Sequence, residues 1–183
     1  MDISQKVIER LEQLVTKGPK QAEAVLFDLD QEQGYIVGVP VEEDNLGIAL
    51  TLQGYDRYSV ILHNLEMNYP HTARGNHKNQ NLRAYAEEII ERLSYLEEPL
   101  ALVELDRAEG IAQLRSNPPR AEKDQSTYWE VLVRSKPYLQ VSLARYQWTP
   151  DHPERTRVAY PATFATLGRI AQDLAECLSE NVK

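Results

Sequence analysis

Apolar residues recur along this chain with two periods, and the order in which those periods alternate sets out its elements. Ile3, Val7, Ile8, Leu11, Leu14 and Val15 fall three or four apart, predicting a helix that runs to about Thr16 and stops at Gly18-Pro19. A second helix is predicted from about Asn81 to Leu96, with Leu82, Tyr85, Ile89, Leu93 and Leu96 on one stripe and Pro99 beyond its end. A third opens near Pro161 or Thr163 and turns Leu167, Ile170, Leu174 and Leu178 inward. Each keeps one polar side, as helices lying on a sheet do.

Between the helices the period is two. Val25, Phe27 and Leu29 alternate with Leu26, Asp28 and Asp30, and Gly34 leads into Tyr35-Ile36-Val37-Gly38-Val39. Runs over 46–52 and 58–65 flank Gln53-Gly54-Tyr55-Asp56-Arg57, a hairpin signature. The later half repeats the scheme with strands around Leu102–Leu105 and Ile111–Leu114, then a hairpin of 128–134 and 138–146 closed at Ser135-Lys136-Pro137. Alternation there assigns Trp129, Val131 and Val133 to the core, and leaves Tyr128, Glu130, Leu132 and Arg134 for solvent or a partner. Asn117 to Gln125, with Pro118-Pro119 and mixed charges, reads as a mobile loop. Short connections between consecutive strands imply antiparallel pairing. The predicted fold is therefore α+β, an antiparallel sheet of about eight strands with three helices on one face.

The pattern also echoes itself. Val-Ile-Glu-Arg-Leu-Glu-Gln-Leu at 7–14 matches Ile-Ile-Glu-Arg-Leu-Ser-Tyr-Leu at 89–96, and Leu26-Phe27-Asp28-Leu29-Asp30 matches Leu102-Val103-Glu104-Leu105-Asp106. This is the expectation for a duplicated unit of one helix and four strands, with halves roughly 1–80 and 81–183. No Gly/Ser or Pro-rich linker separates them, so residues 1–183 are expected to form a single domain.

Charge narrows the function classes. A net charge of -8 argues against general nucleic-acid binding, which needs clustered Lys and Arg on phosphates. No apolar window long enough for a membrane span occurs, and Met1-Asp2-Ile3-Ser4-Gln5-Lys6 lacks the start of a signal peptide, so a cytoplasmic location is expected. Cys177 lies in a helical pattern and reads as a small core residue rather than a nucleophile.

Two segments carry candidate chemistry. From Met67 to Ala86 there is no acidic residue, and Arg74, His77, Lys78 and Arg83 gather just ahead of or within the start of a helix. Unpaired backbone N–H groups and the helix dipole favour an anion there, and the cations would add charge-assisted hydrogen bonds. A solvated connection with Asn residues capping the helix accounts for the same composition. The matching loop of the later half holds His152, Arg155 and Arg157, diluted by Asp151 and Glu154. No Cys pair or His spacing points to a metal, no Gly-x-Ser-x-Gly elbow to a hydrolase, and no glycine framework to a nucleotide, so no cofactor is expected. Asp28 and Asp30 fall on the wet face of a strand.

Two functions follow. One is a non-catalytic binding or interaction protein (assembly factor, small chaperone or regulator) acting through a protein partner. The alternative is an enzyme or sensor for a small anionic or phosphorylated ligand held by the basic loop, with His77 as acid or base. A homodimer through an open sheet edge is a further expectation, the sequence leaving open which edge.

Overall fold

Asp2 opens the first helix, its carboxylate accepting the backbone N–H of Gln5 at 2.8 Å. This helix, α1 (Ile3–Lys17), ends where Gly18 takes a φ of 83° and donates its N–H to the Leu14 carbonyl at 3.0 Å. The computed structural model of the chain describes residues 2–29, 32–41, 46–69 and 82–180. After α1 come β1 (Val25–Leu29), β2 (Glu32–Val41), β3 (Leu46–Tyr55), β4 (Ser59–Tyr69) and α2 (Leu82–Arg92). The later half contributes β5 (Leu100–Asp106), β6 (Ile111–Ser116), β7 (Arg120–Glu122), β8 (Gln125–Arg134), β9 (Leu139–Thr149), β10 (His152–Val158), β11 (Tyr160–Thr163) and α3 (Phe164–Glu180).

The strands form one antiparallel sheet in the order β1-β2-β3-β4-β9-β8-β6-β5. Outward from the central β4–β9 pair, each half runs back through its strands towards its first. That mirrored order belongs to the sheet; the internal sequence repeat is not confirmed. The helices cover one face, with α3 between α1 and α2. Gln172 of α3 accepts the backbone N–H groups of Ile3 and Ser4 at 2.8 and 3.2 Å, tying the start of α1 to the centre of this layer. Leu11, Leu14, Leu50, Leu65, Ile89, Trp129, Val131, Leu143, Leu167 and Leu174 meet between the layers in one buried core. Among the described residues no helix is long and apolar enough to cross a membrane.

The sheet forks. β4 and β9 pair only from Leu65↔Leu143 to Tyr69↔Leu139. Beyond that point β9 pairs with β10 and β4 with β11, so the β10–β11 segment fills the notch with its turn near Ala159. On the far side of β9, β8 pairs first with β7 and then with β6. The Ser116 hydroxyl accepts the Trp129 N–H at 2.8 Å where β6 leaves the ladder.

Two expectations are corrected here. The stretch from Asn117 to Gln125 is no loop throughout: β7 pairs with β8 from Arg120↔Thr127 to Glu122↔Gln125. Nor do His152, Arg155 and Arg157 sit on a loop, since β10 carries all three. Both strands are held by backbone ladders with largely polar side chains, so they lack the apolar alternation that marks a half-buried strand.

Candidate binding face

Cross-strand register places a set of aromatic and basic side chains on the side of β8, β9 and β10 away from the helices. Tyr128 lies opposite Tyr146, Ser126 opposite Trp148 and Glu130 opposite Ala144, while Trp129, Val131 and Val133 point into the core. The two tyrosine rings stack with centroids 6.0 Å apart and planes at 21°. Arg115, opposite Glu130 on β6, sits over Tyr128 at 5.5 Å. From β10, Arg155 and Arg157 lie over Tyr146 at 4.4 and 5.6 Å, and Arg157 donates to the Tyr146 hydroxyl at 3.2 Å. Trp148 extends the surface and is 42% exposed.

Beneath this ladder Glu130 is only 4% exposed, and its Oε2 accepts from Gln113 Nε2 at 2.8 Å, Arg115 Nε at 2.8 Å and Arg155 Nη1. A buried carboxylate needs such partners. Burial, the largest single influence, would lower the pKa of Arg155, but hydrogen bonding and attraction to Glu130 and Tyr128 together outweigh it and hold the guanidinium above its ordinary value. Two guanidinium groups and one amide therefore surround one carboxylate, which is sunk out of reach of solvent. The side chains of Arg115 and Arg155 stay 37% and 35% exposed above it, on a protein of net charge -8. Because Arg115 and Arg155 each commit one N–H direction to Glu130, they are held in place with other donors left over.

The helix-side face of the same strands is built differently. Arg145 donates to both oxygens of Glu98, at 3.0 and 2.8 Å, and to Thr127 Oγ1 at 3.2 Å, under the rings of Trp129 and Tyr160. It borders a cleft of about 350 Å³ shared with Glu97, Arg120, Glu122 and Tyr160. Its hydrogen-bonding capacity is largely spent inside the protein, so this charge joins the segment after α2 to the sheet.

Of the residues singled out in the sequence, Arg74, His77 and Lys78 lie outside the described residues. Arg83 is in the first turn of α2, exposed, and pairs with Glu87 at 3.5 Å. Arg155 and Arg157 are brought together with Tyr146. His152 is separate, bordering an open pocket of about 820 Å³ between the β7–β8 and β9–β10 turns with Glu122, Lys123, Asp124 and Asp151. Glu130, assigned by alternation to a surface set, is instead buried by its two arginines. Sequence reasoning missed Arg115, whose one signal was its place in an alternating run that continues the Ile111–Leu114 strand. Among the described residues no group of His, Cys, Asp and Glu side chains could hold a metal ion. Comparison of the chain with protein-family models, curated proteins and solved structures finds no match.

Proposed function

We propose that this protein is a non-catalytic binding module that takes an acidic segment of a protein partner on the face formed by Tyr128, Tyr146, Trp148, Arg115, Arg155 and Arg157. The observation that carries this reading is the pair of stacked tyrosines flanked by three arginines, two of which, Arg115 and Arg155, share the buried carboxylate of Glu130. Tyr, Trp and Arg are the side chains that dominate binding energy at interfaces, because they bury much area for little lost freedom. Carboxylates of the partner would receive the remaining N–H groups of Arg115 and Arg155 and those of Arg157, while Trp148 and the tyrosine edges exclude water around them. Rim charges of this kind act strongly on encounter, so association should weaken as salt is raised.

The test replaces exposed members of the face that do not hold Glu130. Immobilised wild-type protein, Arg157→Glu and Trp148→Ala would be presented with cell extract at low salt, and the affinity of what the wild type retains measured for all three. Each substitution should weaken binding about tenfold or more, with unchanged thermal midpoints. A retained partner whose affinity is the same for all three proteins would refute the assignment. Arg83, the one described member of the other candidate site, is exposed beside Glu87 at 3.5 Å.

A further inference from the structure

Glu130 draws two arginines of the binding face to a single point. Arg115 reaches its Oε2 through Nε and Arg155 through Nη1, so the two guanidinium groups stand side by side around one oxygen. Both terminal nitrogens of Arg115 are left over for another acceptor. Arg157 is close by, since it and Arg155 lie over the same Tyr146 ring. It donates to the Tyr146 hydroxyl, whose own proton is then left to donate.

Three guanidinium charges thus meet one carboxylate, and two positive charges stay unpaired. Among the described residues no ion pair joins these arginines to an acid other than Glu130, the exposed neighbour Glu154 included. By register the next acids on this side of the sheet, Glu66 on β4 and Glu104 on β5, lie at least two strands from Glu130. At the spacing of paired strands that is about 10 Å, a full Debye length at about 0.1 M salt, so they cancel little of the charge.

We propose that the acidic segment bound by this face is phosphorylated, its phosphoryl group seated over Arg115, Arg155 and Arg157; this rests on the binding reading above. A phosphate monoester carries about −1.5 to −2 charges at neutral pH and three acceptor oxygens. It matches the two unpaired charges and offers oxygens to the forks of more than one guanidinium. A single Asp or Glu supplies one charge and two oxygens, and two carboxylates brought to one point repel each other. The arginines stand exposed on an open sheet face with Trp148 beside them. Small ligands are held in concave sites, whereas this face suits a phosphoryl group carried on a chain that lies against Trp148.

Calorimetric titration of the full chain tests this with three peptides of one sequence, differing at a central serine, glutamate or phosphoserine. At about pH 7.5 and about 0.1 M salt the phosphoserine peptide should bind at least about tenfold more tightly than the glutamate peptide, and the serine peptide most weakly. Going to about pH 5.5 crosses the second phosphate ionisation near about 6, while glutamate stays ionised. The advantage of phosphoserine should therefore shrink several-fold. Arg157→Gln, which leaves the Glu130 cluster intact, should remove most of that advantage at an unchanged thermal midpoint. Arg120→Gln, in a separate pair with Glu122, should match the wild type. Phosphoserine and glutamate peptides of equal affinity, both above serine, would overturn the phosphoryl assignment but leave the acidic-segment reading standing. No binding by any of the three would sink both. An advantage untouched by Arg157→Gln would refute the placement. Inorganic phosphate that displaces the peptide at the peptide's own concentration would assign the face to the free anion and end the peptide assignment.

Discussion

Arg145 and Glu98 are 6% and 7% exposed and joined by two hydrogen bonds, so each charge has been taken out of water only because the other is there. Attraction inside the protein offsets much of the desolvation, but the offset disappears if one member is removed. Glu98→Ala would strand a guanidinium against the Trp129 and Tyr160 rings, with Glu97 at 3.6 Å as its remaining acidic neighbour. The loss should be about 3 kcal/mol, at the lower end for broken buried pairs because Glu97 stays. Replacing both members by methionine should cost clearly less than Glu98→Ala, because no buried charge is left unpaired. Urea unfolding of the two variants checks this, and a double variant as unstable as the single one would mean that packing rather than charge governs the site.

At the scale of elements, helix crossing distance is set by the side chains at the contact, and α1 meets α3 at Gly168. A Cβ there would stand 2.6 Å from Ser4 Oγ and 2.9 Å from the Ser4 carbonyl oxygen. The hydroxyl can rotate away, but the backbone carbonyl cannot move without moving α1. Gly168→Ala thus sets two effects against each other. Helix propensity favours alanine by up to about 1 kcal/mol, while overpacking costs about 1–3 kcal/mol. The steric term should win, giving a net loss of about 1 kcal/mol and a lower thermal midpoint; a raised midpoint would show that α1 shifts freely. The helices themselves were legible from Ile3, Leu82 and Leu167 onward because each packs a continuous stripe. β7, β10 and β11 were not, since backbone ladders organise them and apolar alternation does not. The binding face was legible only in halves. Alternation separated Tyr128 from Trp129, yet nothing local to Arg155 indicates Glu130, which lies 25 positions away. For the same reason Arg145 and Glu98, 47 positions apart, give no sign of each other in the sequence.

Across the molecule, burial keeps several acids neutral. It pushes the Cys177 thiol up to about 12, with the Glu88 carboxylate adding to the shift, and it raises Tyr85, Tyr95 and Tyr160 above the usual phenol range. All of these bind their proton more tightly in the folded protein than in the unfolded chain. Unfolded cysteine ionises near pH 8.5–9, roughly, and tyrosine near about 10. Above pH 9 the unfolded chain therefore holds fewer protons, and stability must fall as pH rises. Below that range the same groups are protonated in both states and the contribution is fully present. Cys177 is the first to act. Between about pH 8.5 and 10 it alone should remove about 1 kcal/mol, from the linkage between its two pKa values. Cys177→Ala lowers stability at neutral pH by leaving a small void in the core, but its loss over that pH interval should be smaller than that of the wild type by the same amount. Urea unfolding at pH 8.5 and pH 10 separates these effects, because the void is common to both pH values and cancels in the difference. Equal alkaline losses in the two proteins would mean that the thiol reaches solvent before the chain unfolds. Rapid alkylation of Cys177 in the folded protein should then accompany them.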